Sequence, residues 1–159
     1  MAATATATAA ADDLFLRVSR TFDAPRERVF AAWTNPDHLR DWFGPPGVKN
    51  TICELDVRPG GAWRLMGKSE RGSHAVSGKY IDVKPPERLS FTWAWHTDGD
   101  FAKPREHETT VTLLFKELGQ RTEMTIVHGR FRDSTGVANH NRGWTGSFDK
   151  LAAFLGRAS

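Results

Sequence analysis

Val137-Ala138-Asn139-His140-Asn141-Arg142-Gly143-Trp144-Thr145-Gly146-Ser147-Phe148-Asp149-Lys150-Leu151-Ala152-Ala153-Phe154-Leu155 carries one periodic pattern. Val137, Asn141, Trp144, Phe148, Leu151 and Leu155 recur at alternating steps of four and three. That spacing lays a single stripe along an α-helix of about twenty residues. Ser134 is placed to cap its N-terminus. Gly143 and Gly146 each weaken a helix by about 1 kcal/mol relative to alanine, so their presence implies close approach to another surface. A lone helix with one apolar stripe must lay that stripe on a further layer.

Upstream the period changes to two, which supplies the layer. Leu89, Phe91, Trp93 and Trp95 alternate with Ser90, Thr92, Ala94 and His96, the cleanest strand in the chain. Thr51, Cys53, Leu55 and Val57 form another strand face. Trp63 and Leu65 form the next, followed by Val76, Gly78 and Tyr80. Thr109, Val111, Leu113 and Phe115, and then Met124, Ile126 and His128, complete the series. Breakers separate them: Pro59-Gly60-Gly61, Pro85-Pro86 and Gly119. Such short connections imply antiparallel hairpins. Before this run, Leu14, Leu16, Val18 and Phe22 read as a first strand, its apolar side broken by Arg20. Two short helices follow, Pro25 to Thr34 and another capped by Asn35 with Pro36 in its first turn. The expected fold is α+β: a strongly curved antiparallel sheet of about seven strands wrapped around a long C-terminal helix, with two short helices after the first strand.

The chain has 159 residues, a length that suits one domain. Residues 1–12, an Ala/Thr-rich tract, are expected to be a disordered tail, with a single domain over 13–159. Six tryptophans and ten phenylalanines imply a core filled by large rings. Lys and Arg total 22 against 19 Asp and Glu, and they are interleaved with the acids, so no nucleic-acid surface is expected. No apolar run is long enough to span a membrane, and the start lacks a basic and leucine-rich leader. Cys53 is the only cysteine, which excludes a disulfide within the chain. These points favour a cytoplasmic protein. No metal site or cofactor is expected: no paired His or Cys occupies a helix at ligand spacing. Met66-Gly67-Lys68-Ser69 ends like a phosphate loop, but Ala62 stands where its first glycine is required.

Several short pieces, taken in order, resemble a known family. They are Arg20-Thr21-Phe22-Asp23-Ala24-Pro25 with Val29-Phe30 and Trp33; Asn35-Pro36 through Trp42; Asp56-Val57-Arg58-Pro59-Gly60-Gly61; Gly78-Lys79-Tyr80; Pro85-Pro86-Glu87-Arg88-Leu89; Thr122 to His128; and Gly143-Trp144. From Leu14 to Leu155 the chain resembles the helix-grip (START-related, birch-pollen-allergen-like) superfamily. Within it the chain is similar to the branch named after the activator of the 90-kilodalton heat-shock chaperone ATPase. The resemblance implies a cavity between the long helix and the concave sheet. Members bind apolar small molecules, some cyclise or hydroxylate aromatic polyketides, and one eukaryotic group stimulates a chaperone. No catalytic motif is shared across the branch, so no catalytic residue is assigned.

The candidate ligand-binding residues are Trp63, Tyr80, Phe91, Trp93, Trp95, Leu113, Met124, Ile126, His128, Asn141 and Trp144, rings and apolar groups with a few polar ones among them. His128 continues the apolar face of Met124 and Ile126, and Asn141 interrupts the helix stripe. Each needs a hydrogen-bond partner if buried: each other, the backbone, or a ligand. His74, His96 and His107 are expected to be solvated, as are Asp149, Lys150 and Arg157. The segments Thr97 to Glu106 and Phe43 to Asn50 are candidates to frame a cavity mouth. The expected function is binding of an apolar or aromatic small molecule. A cyclase- or hydrolase-like enzyme built on His128, and a protein-interaction or co-chaperone-like module, remain alternatives. Homodimerisation through a sheet edge or loop is left open.

Overall fold

The computed structural model describes residues 14–157, so the expected tail over 1–12 lies outside the described residues. Strand β1 (Leu16–Phe22) is followed by α1 (Arg26–Thr34) and α2 (Pro36–Trp42). Six strands come next: β2 (Lys49–Leu55), β3 (Ala62–Ser69), β4 (Gly72–Lys84), β5 (Arg88–Trp95), β6 (Thr109–Leu118) and β7 (Arg121–Gly129). Helix α3 (Ser134–Arg157) ends the fold. The strands form one curved antiparallel sheet in the order β1-β7-β6-β5-β4-β3-β2. Among the described residues, no helix is long and apolar enough to cross a membrane.

Local chemistry explains the elements. Asn35 caps α2 by accepting from the Asp37 backbone N–H at 2.9 Å, and Pro36 occupies the first turn, where a missing donor costs nothing. Alternation on β5 turns Phe91 and Trp93 into the core and leaves Thr92 on the other face. Register shifts at one place in β2, between Asn50 and Ile52. This puts Thr51 outside and leaves Asn50, Cys53 and Leu55 half-buried, so the face does not run through Thr51 as the simple alternation had it.

Helix α3 lies across the concave face. Trp144, Phe148, Leu151 and Leu155 are buried. Phe148 meets Phe22 of β1 and Trp33 of α1 edge-on, both at 6.4 Å between centroids. Trp144 stacks on Phe148 at 5.8 Å and meets Trp93 of β5 at 5.2 Å. Arg20, which interrupts the apolar face of β1, reaches Asp149 of α3 at 2.6 Å and ties the sheet edge to the helix. Asp149 and Arg157 are exposed as expected, each in a surface ion pair, Arg157 with Asp41 at 3.0 Å, whereas Lys150 is half-buried. Burial of this ring-rich layer is the principal stabilising term, at roughly 25 cal/mol for each Å² of apolar surface removed from water.

Candidate functional site

A cleft of about 440 Å³ opens between α3, the inward face of β3 to β5 and the segment after α2. That volume is in the range of small-molecule sites. Trp93 and Trp95 of β5 enter it as alternate residues of one strand face, beside Leu65 and Gly67 of β3 and His74 and Val76 of β4. Helix α3 contributes Asn139, His140, Gly143, Trp144 and Ser147. The third wall is a strap from Phe43 to Asn50.

The strap is held by specific contacts. Gly44 and Gly47 adopt φ of +92° and +94°, a left-handed backbone that favours glycine and lets the chain reverse around Pro45-Pro46. A Cβ on Gly146 would stand 3.0 Å from Pro46 Cδ, so this helical glycine admits the strap. A Cβ on Gly67 would stand 2.8 Å from Val48 Cγ1, so β3 admits it from the other side. Lys150 directs its ammonium at the carbonyl oxygens of Phe43, Pro45 and Val48, at 3.4, 3.5 and 3.5 Å. Partial burial lowers the pKa of that amine. Asn50 Nδ2 donates to the carbonyls of Arg40 and Phe43 at 3.0 and 2.9 Å. Gly143 behaves differently from Gly146: a Cβ there would meet nothing within 4 Å, because it would point into the cleft.

Two histidines bond the tryptophan wall, His128 from the core behind it and His140 from α3 at the cleft itself. The Trp144 indole N–H donates to His128 Nδ1 at 3.0 Å. An indole N–H can only donate, so the ring proton is on Nε2, which lies 2.7 Å from Thr109 Oγ1 and donates to it. Thr109 in turn donates to the Trp93 carbonyl at 3.1 Å. His140 repeats the arrangement with the opposite tautomer: Trp95 Nε1 donates to its Nε2 at 2.9 Å, and its Nδ1 donates to the Gly136 carbonyl at 2.8 Å. The two imidazoles lie 5.0 Å apart and nearly perpendicular. Burial holds both pKa values below the ordinary histidine range, and for His128 the neighbouring His140 adds to the effect.

A second, smaller chamber of about 20 Å³ lies deeper. It shares Phe43, Leu65 and Trp93 with the cleft and is further lined by Trp63, Tyr80 and Phe91. Burial pushes the Tyr80 phenol well above its ordinary pKa. Among the described residues, no group of three His, Cys, Asp or Glu converges as a metal site would require.

The family described as activator of Hsp90 ATPase homolog 1-like protein matches residues 23–156. The chain belongs to this family. Solved structures share its architecture. The AHSA1 protein of Silicibacter pomeroyi is 31% identical, with a TM-score of 0.80 over 91% of this chain and 99% of its own. A protein of Chromobacterium violaceum is 28% identical, with a TM-score of 0.78 over 89% and 96%. CalU16 of Micromonospora echinospora, at 23% identity and a TM-score of 0.65 over 89% and 75%, shares the fold. An uncharacterized protein of Schizosaccharomyces pombe is 26% identical over 110 residues. That match takes 67% of this chain but 27% of the yeast protein, so the chain spans about a quarter of that relative's length.

On this helix-grip frame the sequence candidates separate into three groups. Trp93, Trp95 and Trp144 line the cleft. Trp63, Tyr80 and Phe91 line the inner chamber and not the cleft. Leu113, Met124, Ile126 and His128 are fully buried in solid core, under the half of the sheet that α1 and α3 cover. Asn141 is exposed and touches neither cavity. Successive helical residues point about 100° apart, and the residue turned into the cleft is His140. His74, His96 and His107 are not merely solvated. His74 lines the cleft, His96 bonds Ser77 Oγ at 2.8 Å, and His107 donates to the Arg130 carbonyl at 2.6 Å. The Thr97 to Glu106 loop folds away from the mouth, onto the outer sheet face. There Phe101 stacks under the Arg64 guanidinium at 4.8 Å and meets His96 at 5.1 Å. Of the two candidate segments, only Phe43 to Asn50 frames the cleft.

Proposed function

We propose that this protein binds a neutral apolar or aromatic small molecule in the cleft beneath α3. The observation that carries the reading is Gly143. A glycine inside a long helix costs about 1 kcal/mol relative to alanine, yet nothing in the fold occupies the space its side chain would take. The empty volume is faced by Trp93, Trp95 and Trp144, whose flat surfaces suit a ring system. No Asp, Glu, Lys or Arg lines the cleft, so a charged guest would enter without a counter-charge.

A catalytic reading based on His128 has lost its support. Both ring nitrogens are engaged by Trp144 and Thr109, the side chain is fully buried, and Tyr80 and Asn141 stand elsewhere. The cytoplasm remains the proposed compartment. Burial raises the Cys53 thiol to about 11, which keeps this half-buried group protonated and unreactive.

The test is a titration of tryptophan emission with flavonoids, aromatic polyketides and fatty acids, using the wild type and Gly143→Phe. Saturable binding of ring compounds, lost in Gly143→Phe with the fold intact by circular dichroism, is the expected result. Absence of binding across the panel, or equal binding by the variant, contradicts the reading.

A further inference from the structure

Three residues of the cleft stand side by side across the sheet. Asn50 of β2 pairs with Gly67 of β3, and Gly67 pairs with His74 of β4. Direct antiparallel partners project to the same face, so the three form one row, and each of them lines the cleft. The neighbouring row is apolar. Leu65, Val76 and Trp95 pair in the same way, two residues nearer the tryptophan wall. Rows two residues apart lie about 7 Å apart along a strand. The sheet side of the cleft thus passes from a ring-lined row to a polar one.

The polar row holds an acceptor that the fold leaves open. Asn50 Nδ2 spends both hydrogens on the Arg40 and Phe43 carbonyls, at 3.0 and 2.9 Å. Two carbonyl acceptors fix which end of the amide carries the hydrogens, so the oxygen is the end turned toward Gly67. A Cβ on Gly67 would stand 2.9 Å from Asn50 Oδ1. The oxygen retains accessible surface: Asn50 is half-buried, and Oδ1 is not among the unpartnered polar atoms sealed inside the fold. The polar groups on the helix side are engaged. His140 is held by Trp95 and the Gly136 carbonyl, and the Ser147 hydroxyl donates to the Gly143 carbonyl at 2.9 Å.

We infer that the guest carries a hydroxyl group that donates to Asn50 Oδ1 while its ring rests on Trp95 and Trp144, so the cleft selects neutral hydroxylated aromatics. This rests on the small-molecule reading above. Solvent reaching the cleft satisfies such an oxygen. A guest that displaces the solvent and brings no donor leaves the oxygen bare, at a cost on the order of 1–3 kcal/mol. A hydroxyl restores the bond. An ether or ketone oxygen brings only lone pairs and would face another lone pair. A protonated amine would also donate, but no Asp or Glu lines the cleft to take its charge.

The experiment compares 2-naphthol with 2-methoxynaphthalene, which share rings and oxygen and differ in the donor. The full chain, labelled with ¹³C and ¹⁵N, is titrated with each up to its solubility limit, following dissociation constants and the Asn50 side-chain resonances. The expected result is about five- to tenfold tighter binding of 2-naphthol, the increment of one hydrogen bond. The Asn50 ¹³Cγ resonance moves downfield with the naphthol only, a response that a purely strap-holding Asn50 would not give. In Asn50→Lys, which still donates toward the two carbonyls but offers no acceptor, the naphthol-to-ether preference falls to about one. Should that variant not fold, the two wild-type titrations still decide the matter. Equal affinity of both probes, or an Asn50 ¹³Cγ resonance unmoved by 2-naphthol, overturns the hydroxyl inference and leaves the binding reading standing. Failure of both probes to bind overturns the two together.

Discussion

Trp144 of the C-terminal helix donates its indole N–H to Nδ1 of His128 on β7, across 3.0 Å of fully buried space. The contact joins the helix to the sheet at the back wall of the cleft, and it sets which imidazole nitrogen carries the proton. His128→Leu removes the acceptor from Trp144 and a partner from Thr109 together. The expected loss is about 2–4 kcal/mol of unfolding free energy, since two buried polar groups lose a partner. Urea unfolding of the variant measures it, and a loss below about 1 kcal/mol would show that the network is dispensable.

The same pair of histidines makes stability depend on pH. Burial depresses the folded-state pKa of both His128 and His140 below the unfolded value near 6.5. The unfolded chain therefore binds more protons than the folded one in mildly acidic solution. Stability is fully present above the unfolded pKa and declines as pH falls below it. Each neutral-buried histidine contributes a slope approaching about 1.4 kcal/mol per pH unit between its unfolded and folded pKa values. Unfolding free energies measured from pH 7.5 to pH 5 should fall with acid, and more gently in His140→Gln. A flat profile would show that the imidazoles are not neutral in the fold.

Gly143 and Gly146 sit three residues apart in α3, and they should respond oppositely to alanine. Gly143→Ala places a methyl where no atom lies within 4 Å, so it should gain about 0.5–1 kcal/mol from helix propensity. Gly146→Ala places one 3.0 Å from Pro46 Cδ, so displacement of the strap offsets that gain. Thermal midpoints of the two variants, measured together, check the contrast.

Lys150 should hold the strap closed. Lys150→Met keeps the aliphatic stem and removes the ammonium from the carbonyls of Phe43, Pro45 and Val48. Hydrogen exchange at Val48, whose amide bonds the Pro45 carbonyl at 3.2 Å, is expected to accelerate. The global midpoint should change little, because those contacts are long and half exposed. Unchanged exchange at Val48 would assign the strap's order to Gly146 and Gly67 alone.

Much of this architecture is legible in residue spacing. The β5 alternation of Phe91, Trp93 and Trp95, and the α3 stripe of Trp144, Phe148, Leu151 and Leu155, follow from strand and helix periods that tertiary contacts leave intact. The cleft is less legible because it depends on departures from those periods. His140, not Asn141, turns inward because the cleft sits on one flank of the stripe, which spacing alone does not reveal. His128 looked available because Thr109 and Trp144 lie 19 and 16 residues from it, and only register and helix placement bring them together. Gly143 carries a signal as a helical glycine, but whether it meets a surface or a void depends on where the strap runs, which reaches Gly146 and misses Gly143. Trp63, Tyr80 and Phe91 share the inward face with Trp93, yet the strap residue Phe43 helps to separate their chamber from the cleft.

A crystal structure of the full chain grown with a bound aromatic ring compound tests the binding account at its root. The account predicts ring density in the void beside Gly143, in van der Waals contact with Trp93, Trp95 and Trp144, while Leu113, Ile126 and His128 stay out of reach. Density found only on the outer sheet face, or a cleft filled by the protein's own Phe43 and Val48 side chains with no guest beneath α3, would contradict it.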